Sequence, residues 1–347
     1  MSANKPITVV GGGLSGLTLG IGLRQRSVPV TVWEAGHYPR HRVCGEFISG
    51  QGQHTLTRLG LRELLTEAGA IPARTTAFFS PRAASVVREL SKPAISISRL
   101  ALDDLLAKQL RRLGGELREN ERWRGVDFSE GILRATGRRV QPVVQGWRWF
   151  GLKVHARNVT LVADLEMHLS PTGYLGISRL QNGEVNICGL FRRPATASDA
   201  SLRWQETLRG AVGSHRHERL RNAVFEETSF CSVAGLSLKP QHATASAECC
   251  VGDAITMIPP VTGNGMSMAF ESAELAIEPL AAYSEGKISW SEAQRTIARR
   301  CDETFARRLA WAGCLQRLMF LSPLQTPLVI FAPRWQWLWK LLLEKTR

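Results

Sequence analysis

The sequence lacks any pair of cysteines at CxxC spacing, and its seven cysteines (Cys44, Cys188, Cys231, Cys249, Cys250, Cys301, Cys314) are odd in number. A disulfide framework is excluded as the basis of the fold, and free thiols in a reducing compartment are expected. The eight histidines show no metal-ligand spacing, His215 and His217 being merely near each other, so no metal is expected. No serine–histidine–acid arrangement can be read from spacing either. The opening MSANKPITVVGGG has no charged leader before a long apolar run. These absences point to a cytoplasmic protein. Internal repeats and low-complexity linkers are also missing.

Acidic residues are short by comparison with basic ones: 30 against 44, a net charge of +14. A positive field concentrates nucleic acid, anionic lipid or an anionic ligand. The arginines, however, are dispersed as pairs such as Arg111-Arg112 and Arg299-Arg300, with no zinc-finger or RNP-type motif beside them. Solvated faces are the plain reading, and nucleic acid is not an expected partner. At 347 residues the chain is long enough for two substantial domains or one large discontinuous one.

Residues 6–34, PITVVGGGLSGLTLGIGLRQRSVPVTVWE, form a β-branched run, a glycine turn, an apolar helix pattern and a second β-branched run ending in Glu34. Gly11 permits a tight turn, Gly13 lets a pyrophosphate approach the backbone, and Gly16 lets the helix pack against the strand. Leu14 and Ser15 lie within that turn. Glu34, with Ala35 after it, stands where a carboxylate accepts ribose hydroxyls. A dinucleotide site follows, with FAD and NAD both open.

A second signal lies at residues 249–276, CCVGDAITMIPPVTGNGMSMAFESAELA. Gly252 and Asp253 end a short buried strand, and Gly263-Asn264-Gly265 opens a helix whose free N–H groups favour an anion. Alone, this also reads as an ordinary proline–glycine loop before a surface helix.

Together the two motifs resemble the flavoprotein family of p-hydroxybenzoate hydroxylase, the ubiquinone-biosynthesis hydroxylases and the geranylgeranyl reductases. The resemblance implies an α/β fold, a Rossmann-like FAD-binding domain (GR2 type) interleaved with an antiparallel β-sheet substrate domain, plus C-terminal helices. It implies that Asp253 holds the ribityl chain of FAD, that Gly263, Asn264, Gly265 and Met266 line the flavin edge, and that NADH or NADPH is a transient electron donor. SISRLALDDLLAKQLRRLGG, residues 96–115, resembles the family's arginine before LDxxL and places Arg99 near the phosphates or ribityl chain. In LRATGRR, residues 133–139, Thr136 departs from the aspartate–glycine pair of many members.

RVCGEFIS resembles the loop that crosses close to the flavin in geranylgeranyl reductases. Gly45 then lets backbone approach the ring, Arg42 counters the pyrophosphate or a nicotinamide donor, and Cys44 and Glu46 border the substrate space. The alternative is a Cys44 that is a small buried hydrophobe, with Arg40 and Arg42 solvated.

Between these segments, TAFFS, VVREL, WFGLKVHARNVTLVADLEMHL, GYLGISRL and EVNICGLFRR alternate as strands. The expected division is 1–70, 94–145 and 240–285 for FAD, 71–93 and 146–239 for the sheet, and 286–347 for C-terminal helices. In residues 311–343, Pro323, Pro327 and Pro333 interrupt the apolar stretch, so no run of ~20 spans a bilayer. Trp335, Trp337 and Trp339 with Arg334 and Lys340 suit a helix lying in the inner face of a membrane, and a lid over the substrate pocket is the alternative.

The expected activity is an FAD-dependent, NAD(P)H-dependent monooxygenase acting on an apolar aromatic, polyketide or lipid-like substrate. The alternative is reduction of carbon–carbon double bonds in prenyl lipids, although the aromatic YxWxFPK-like segment of that group is missing. Halogenation rests on GWRWFG, residues 146–151, which lacks the isoleucine–proline that should follow, and no lysine occurs between Lys5 and Lys92. A flavin redox sensor that moves its C-terminal helices is the non-enzymatic reading.

Overall fold

A computed structural model describes residues 4–125, 127–138, 140–141, 143–144, 146–196, 203–331 and 334. The β-branched run forms β1 (Ile7–Val10), the glycine turn opens α1 (Leu14–Gln25), and the second run forms β2 (Val30–Trp33). Every residue of α1 from Leu14 to Leu23 is buried. A helix apolar all round must be covered all round. Small residues make this fit: a Cβ at Gly22 would lie 2.1 Å from Ile277 Cδ1, and one at Gly20 would lie 3.1 Å from Leu110.

β3 (Phe47–Ile48), α2 (Gln51–Arg58), α3 (Arg62–Glu67), β4 (Ile71–Phe79) and β5 (Arg88–Ser96) follow. Then comes α4 (Arg99–Arg112), capped by Ser98, whose side chain accepts from the Ala101 N–H. The strands β6 (Glu116–Arg118) and β7 (Ile132–Arg134) complete a parallel sheet of order β6-β2-β1-β7. The expected strand at 249–251 extends it as a parallel bridge between Arg134 and Cys250.

The second sheet has eight strands in the order β12-β8-β11-β10-β9-β4-β5-β3. Its remaining strands are β8 (Trp147–Arg157), β9 (Leu165–Ser170), β10 (Gly173–Arg179), β11 (Val185–Pro194) and β12 (Val224–Ala234). All pairings are antiparallel except β4 with β9. β3 joins this sheet from the loop after β2, a crossing that strand patterning did not indicate.

Alternation along β8 divides the sheet into two faces. Leu152, Val154 and Ala156 face outward and pack under α5 (Trp204–Arg209) and α6 (His215–Leu220) through Leu208 and Leu220. Trp149, Lys153 and His155 face the other way, toward the parallel-sheet half. α7 (Gly265–Ser284) packs on α1, and α8 (Trp290–Met319) packs on α7. α9 (Ser322–Phe331) closes over the inner face. Among the described residues no helix is long and apolar enough to cross a membrane. Trp335, Trp337, Trp339 and Lys340 lie outside the described residues.

Candidate cofactor and reaction site

The glycine turn is tightly specified. Gly11 has φ +113°, and a Cβ there would lie 2.3 Å from the Ala135 carbonyl oxygen; at Gly16 it would lie 1.9 Å from the Gly11 oxygen. Gly13 differs, because a Cβ there meets nothing within 4 Å. It occupies the N-cap of α1 with no side-chain cap, so the first N–H groups of the helix face the open side of the loop.

Glu34 is buried at the end of β2. Its Oε2 accepts from the Gly12 N–H at 3.1 Å and from Arg42 at 3.2 Å, and its Oε1 accepts from the Gly36 N–H at 2.9 Å and from Arg40 at 2.6 Å. Burial works to raise its pKa, but the Gly36 N–H and the two guanidinium groups outweigh it and hold the carboxyl below its usual range. Tyr38 donates its hydroxyl to the Gly12 carbonyl. The carboxylate assigned to ribose is therefore already occupied by donors of its own chain. Ala35 is exposed beside it. Arg42, placed near the pyrophosphate or nicotinamide by resemblance, also binds Asp103 at 2.9 Å.

Gly252 has φ +64°, and a Cβ there would lie 2.2 Å from Ser15 Oγ. The turn carrying Asp253 thus abuts the first turn of α1, while the Gly252 N–H donates to Ser272 on α7 at 2.9 Å. Burial pushes the Asp253 carboxyl up to about 6, against the opposing charges of Arg138 and Arg99. Arg138 stands two residues after Thr136, the position that departs from the aspartate–glycine pair. Its Nε is buried without a partner, and it lines a shallow cleft with Asp253, Gln141, Lys239 and Met257. The sequence reading passed over Arg138.

At the start of α7, Asn264 is fully buried; its Oδ1 accepts from Ser49 at 3.0 Å, while its Nδ2 has no partner. α7 has no side-chain N-cap. Met266 is buried in its first turn. Gly263 is pressed against Phe47, whose ring would lie 2.2 Å from a Cβ, and the same ring lies 3.4 Å from a Cβ at Gly45. Gly45 and Gly263, with Gly265 beyond it, therefore meet across one aromatic ring.

The CGE loop is pinned to the inner face of the large sheet. The Cys44 carbonyl accepts from Asn186 Nδ2 at 3.0 Å, and the Gly45 carbonyl accepts from Ser178 Oγ at 2.9 Å. Glu46 has φ +58° and no solvent exposure. Its Oε1 accepts from the Arg99 backbone N–H at 2.9 Å and lies 3.3 Å from Lys153 Nζ; its Oε2 lies 2.7 Å from His155 Nε2. Lys153 is fully buried and lies 2.9 Å from His41 Nδ1. Burial, with the charges of Lys153 and His155, pushes His41 down to about 4, so at neutral pH its Nδ1 accepts from the ammonium. Burial would raise the Glu46 carboxyl, yet His155 and Lys153 hold it low.

His41, Glu46 and His155 bring their ligating atoms within 4.8 Å of one another. The Lys153 ammonium stands among them, where a cation would go. Burial keeps the Cys44 thiol protonated, which favours the small-hydrophobe reading over a nucleophile. Arg99 pairs with Asp103 through two bonds of 2.7 and 2.8 Å, and its charge reaches Asp253. Beyond Lys153 the inner face turns apolar. Trp149, Leu169, Tyr174 and Leu190 pack with Val261 and Phe320, the Trp149 and Phe320 rings meeting edge-on at 5.0 Å.

Residues 9–50 match the family model described as an NAD(P)-binding Rossmann-like domain. Conditioned medium factor receptor 1 of Dictyostelium discoideum is 29% identical over 143 residues, 38% of this chain and 27% of that protein. The match thus spans about a quarter of that relative's length. Solved structures cover nearly the whole chain. A triple mutant of the flavin-dependent brominase Bmp2 superposes with TM-score 0.73 at 16% identity, over 98% of this chain and 95% of that one. Halogenase PltM gives 0.73 at 15%, over 92% and 78%, and P. aeruginosa PqsL in complex with 2-aminobenzoylacetate gives 0.71 at 14%, over 94% and 99%. The chain has the fold of these proteins: a Rossmann-like α/β half joined to a large sheet and C-terminal helices.

Proposed function

From a fold shared with flavin-dependent brominases, halogenases and PqsL, we propose that the chain is an FAD-dependent enzyme. The observation that carries this is the pairing of two uncapped helix N-termini, α1 and α7, around the Gly252–Asp253 turn, with the buried Asn264 Nδ2 left without an acceptor. The residues fit the cofactor: the open face at Gly13 suits the pyrophosphate, Asp253 the ribityl chain, and Asn264 with Gly265 and Met266 the flavin edge. Glu34 fits the ribose only after Arg40 or Arg42 lets go. When bound, FAD supplies two-electron chemistry, refilled by NADH or NADPH.

We assign the chain to oxygen insertion into an apolar substrate as an NAD(P)H-dependent monooxygenase. One of the similar structures is P. aeruginosa PqsL, described as a probable FAD-dependent monooxygenase, and the apolar half of the inner face supplies a dry wall beside the flavin edge. Halogenation is a second reading, supported by the buried Lys153 that the structure brings to Glu46 from a distant strand. Purified protein should be yellow with FAD, be bleached anaerobically by NADH or NADPH, and on admission of oxygen yield a product heavier by one oxygen. A product carrying halogen only when bromide or chloride is present would favour the second reading, and failure to take up FAD would end both.

A further inference from the structure

A long interval near the end of the chain carries charge of one sign only. Between Glu303 and Glu344 there is no acidic residue, while Arg307, Arg308, Arg317, Arg334 and Lys340 fall in that interval. On α8, Arg307, Trp311 and Cys314 are exposed and Leu318 half-exposed, a spacing that places them on one helix face. That face runs on through Leu321 into α9, which has no charged residue and buries only Gln325 and Val329. Leu324 and Phe331, 39% and 49% exposed, point away from the core.

The hairpin between β4 and β5 borders the same surface. Ser80 and Thr326 share a hydrogen bond of 3.1 Å, and the tip presents Arg82, Val86 and Val87 to solvent. Of the eleven large hydrophobic residues exposed among those described, six (Val86, Val87, Trp311, Leu321, Leu324 and Phe331) lie on this hairpin and the α8–α9 face. Such a concentration marks an interaction surface. Among the described residues Arg82, Arg307 and Arg317 have no ion-pair partner.

We propose that this surface docks on an anionic lipid bilayer. A bilayer interface takes up tryptophan, leucine and phenylalanine while its anionic headgroups meet arginine, and the surface offers both; the exposed acids at its margin are Glu303, which lies 4.0 Å from Arg299, and Glu89 on β5. Beneath it, Val329, Met319 and Phe320 belong to the apolar cluster on the inner face of the large sheet. One helix, α9, therefore separates the lipid from the apolar wall of the reaction site. The surface stands on its own geometry, apart from the cofactor reading.

The test is co-sedimentation of the full-length protein with vesicles of phosphatidylcholine alone and of phosphatidylcholine with phosphatidylglycerol, at low and at 0.5 M salt, with flavin content recorded in parallel. Sedimentation is expected only with the anionic vesicles and should fall with salt. Arg307→Glu with Arg317→Glu should lower the affinity for anionic vesicles by at least about fivefold per arginine replaced, and separately Leu324→Gln with Phe331→Gln should lower the bound fraction. Equal binding to both vesicles, or none to either, overturns the proposal using the wild-type protein alone. A dimer that dissociates in the Leu324→Gln, Phe331→Gln variant while vesicles are ignored also overturns it and assigns the surface to a second copy. Apoprotein that sediments supports the surface while counting against FAD, and yellow protein left in the supernatant rejects the surface alone.

Discussion

Glu46 and Lys153 face each other at 3.3 Å with neither side chain exposed, one on the loop that crosses from the parallel-sheet half and the other in the middle of the large sheet. Removing one member of such a pair leaves a buried charge uncompensated, a loss of about 3–5 kcal/mol. Lys153→Met and Glu46→Gln should each destabilise strongly in urea unfolding. The double variant should lose less than the sum, because each single change already removes the shared interaction. Additivity would mean that the two charges do not support each other.

The pH dependence of Glu46 and Glu34 has the same sign. Each carboxyl titrates lower in the folded protein than its ordinary value of 4.5, so the folded state keeps it ionised where the unfolded state takes a proton. Their contribution is complete above 4.5 and disappears as pH falls through the depressed folded values. Stability measured from pH 7 to 3 should therefore drop below pH 4.5, with a shallower drop in Glu46→Gln.

Asp253 works in the opposite direction. Its folded value of about 6 against 3.8 unfolded means that the ionised form at neutral pH costs stability, a cost that shrinks as pH falls from 6 and is gone once pH lies well below 3.8, where both states are protonated. In FAD-free protein Asp253→Asn should raise stability at pH 7.5 by about 1–2 kcal/mol and by only a small fraction of that at pH 3.5. The same change should weaken FAD binding. Thermal melts at the two pH values, with a flavin titration, check both.

Much of the parallel-sheet half is legible in the sequence because its cues are local. Strand, glycine turn, helix and acid follow one another within residues 6–34. Lys153 and His155 could not be read in the same way. They alternate with Leu152, Val154 and Ala156, a pattern that normally means one wet face. Here the polar face is covered by residues 41–46, and only tertiary structure brings that loop to β8. Glu34 was legible as an acid at a strand end, but not as one already claimed by Arg40 and Arg42.

Gly11 and Gly13 should separate fold from cofactor. At Gly11 an alanine would take φ +113° and strike the Ala135 carbonyl, so Gly11→Ala should lower the melting temperature of the apoprotein and FAD affinity together. At Gly13 the space is open and φ is −81°, so Gly13→Val should cost the apoprotein only the preference of an N-cap for glycine over valine, a smaller loss than Gly11→Ala, while filling the side on which a pyrophosphate would rest. Retention of FAD by Gly13→Val would place the cofactor elsewhere.

Arg40 is the donor that a ribose would have to replace on Glu34 Oε1, at 2.6 Å and with only part of its side chain exposed. If the hydroxyls of FAD take that position, Arg40→Ala frees an acceptor in advance. Binding then no longer has to break a charge-assisted hydrogen bond, an interaction of about 1.5–3 kcal/mol in a protein. The apoprotein should lose stability, since Glu34 surrenders a partner, and FAD should bind more tightly, with the gain confined to ligands that carry the adenosine ribose. FMN, which has no such ribose, should bind wild type and variant alike. Calorimetric titration of both flavins into apoprotein distinguishes the outcomes. Weaker FAD binding by the variant would mean that Arg40 turns to the pyrophosphate on loading, and Glu34 would then stay with Arg42 and the Gly12 and Gly36 N–H groups in the bound state.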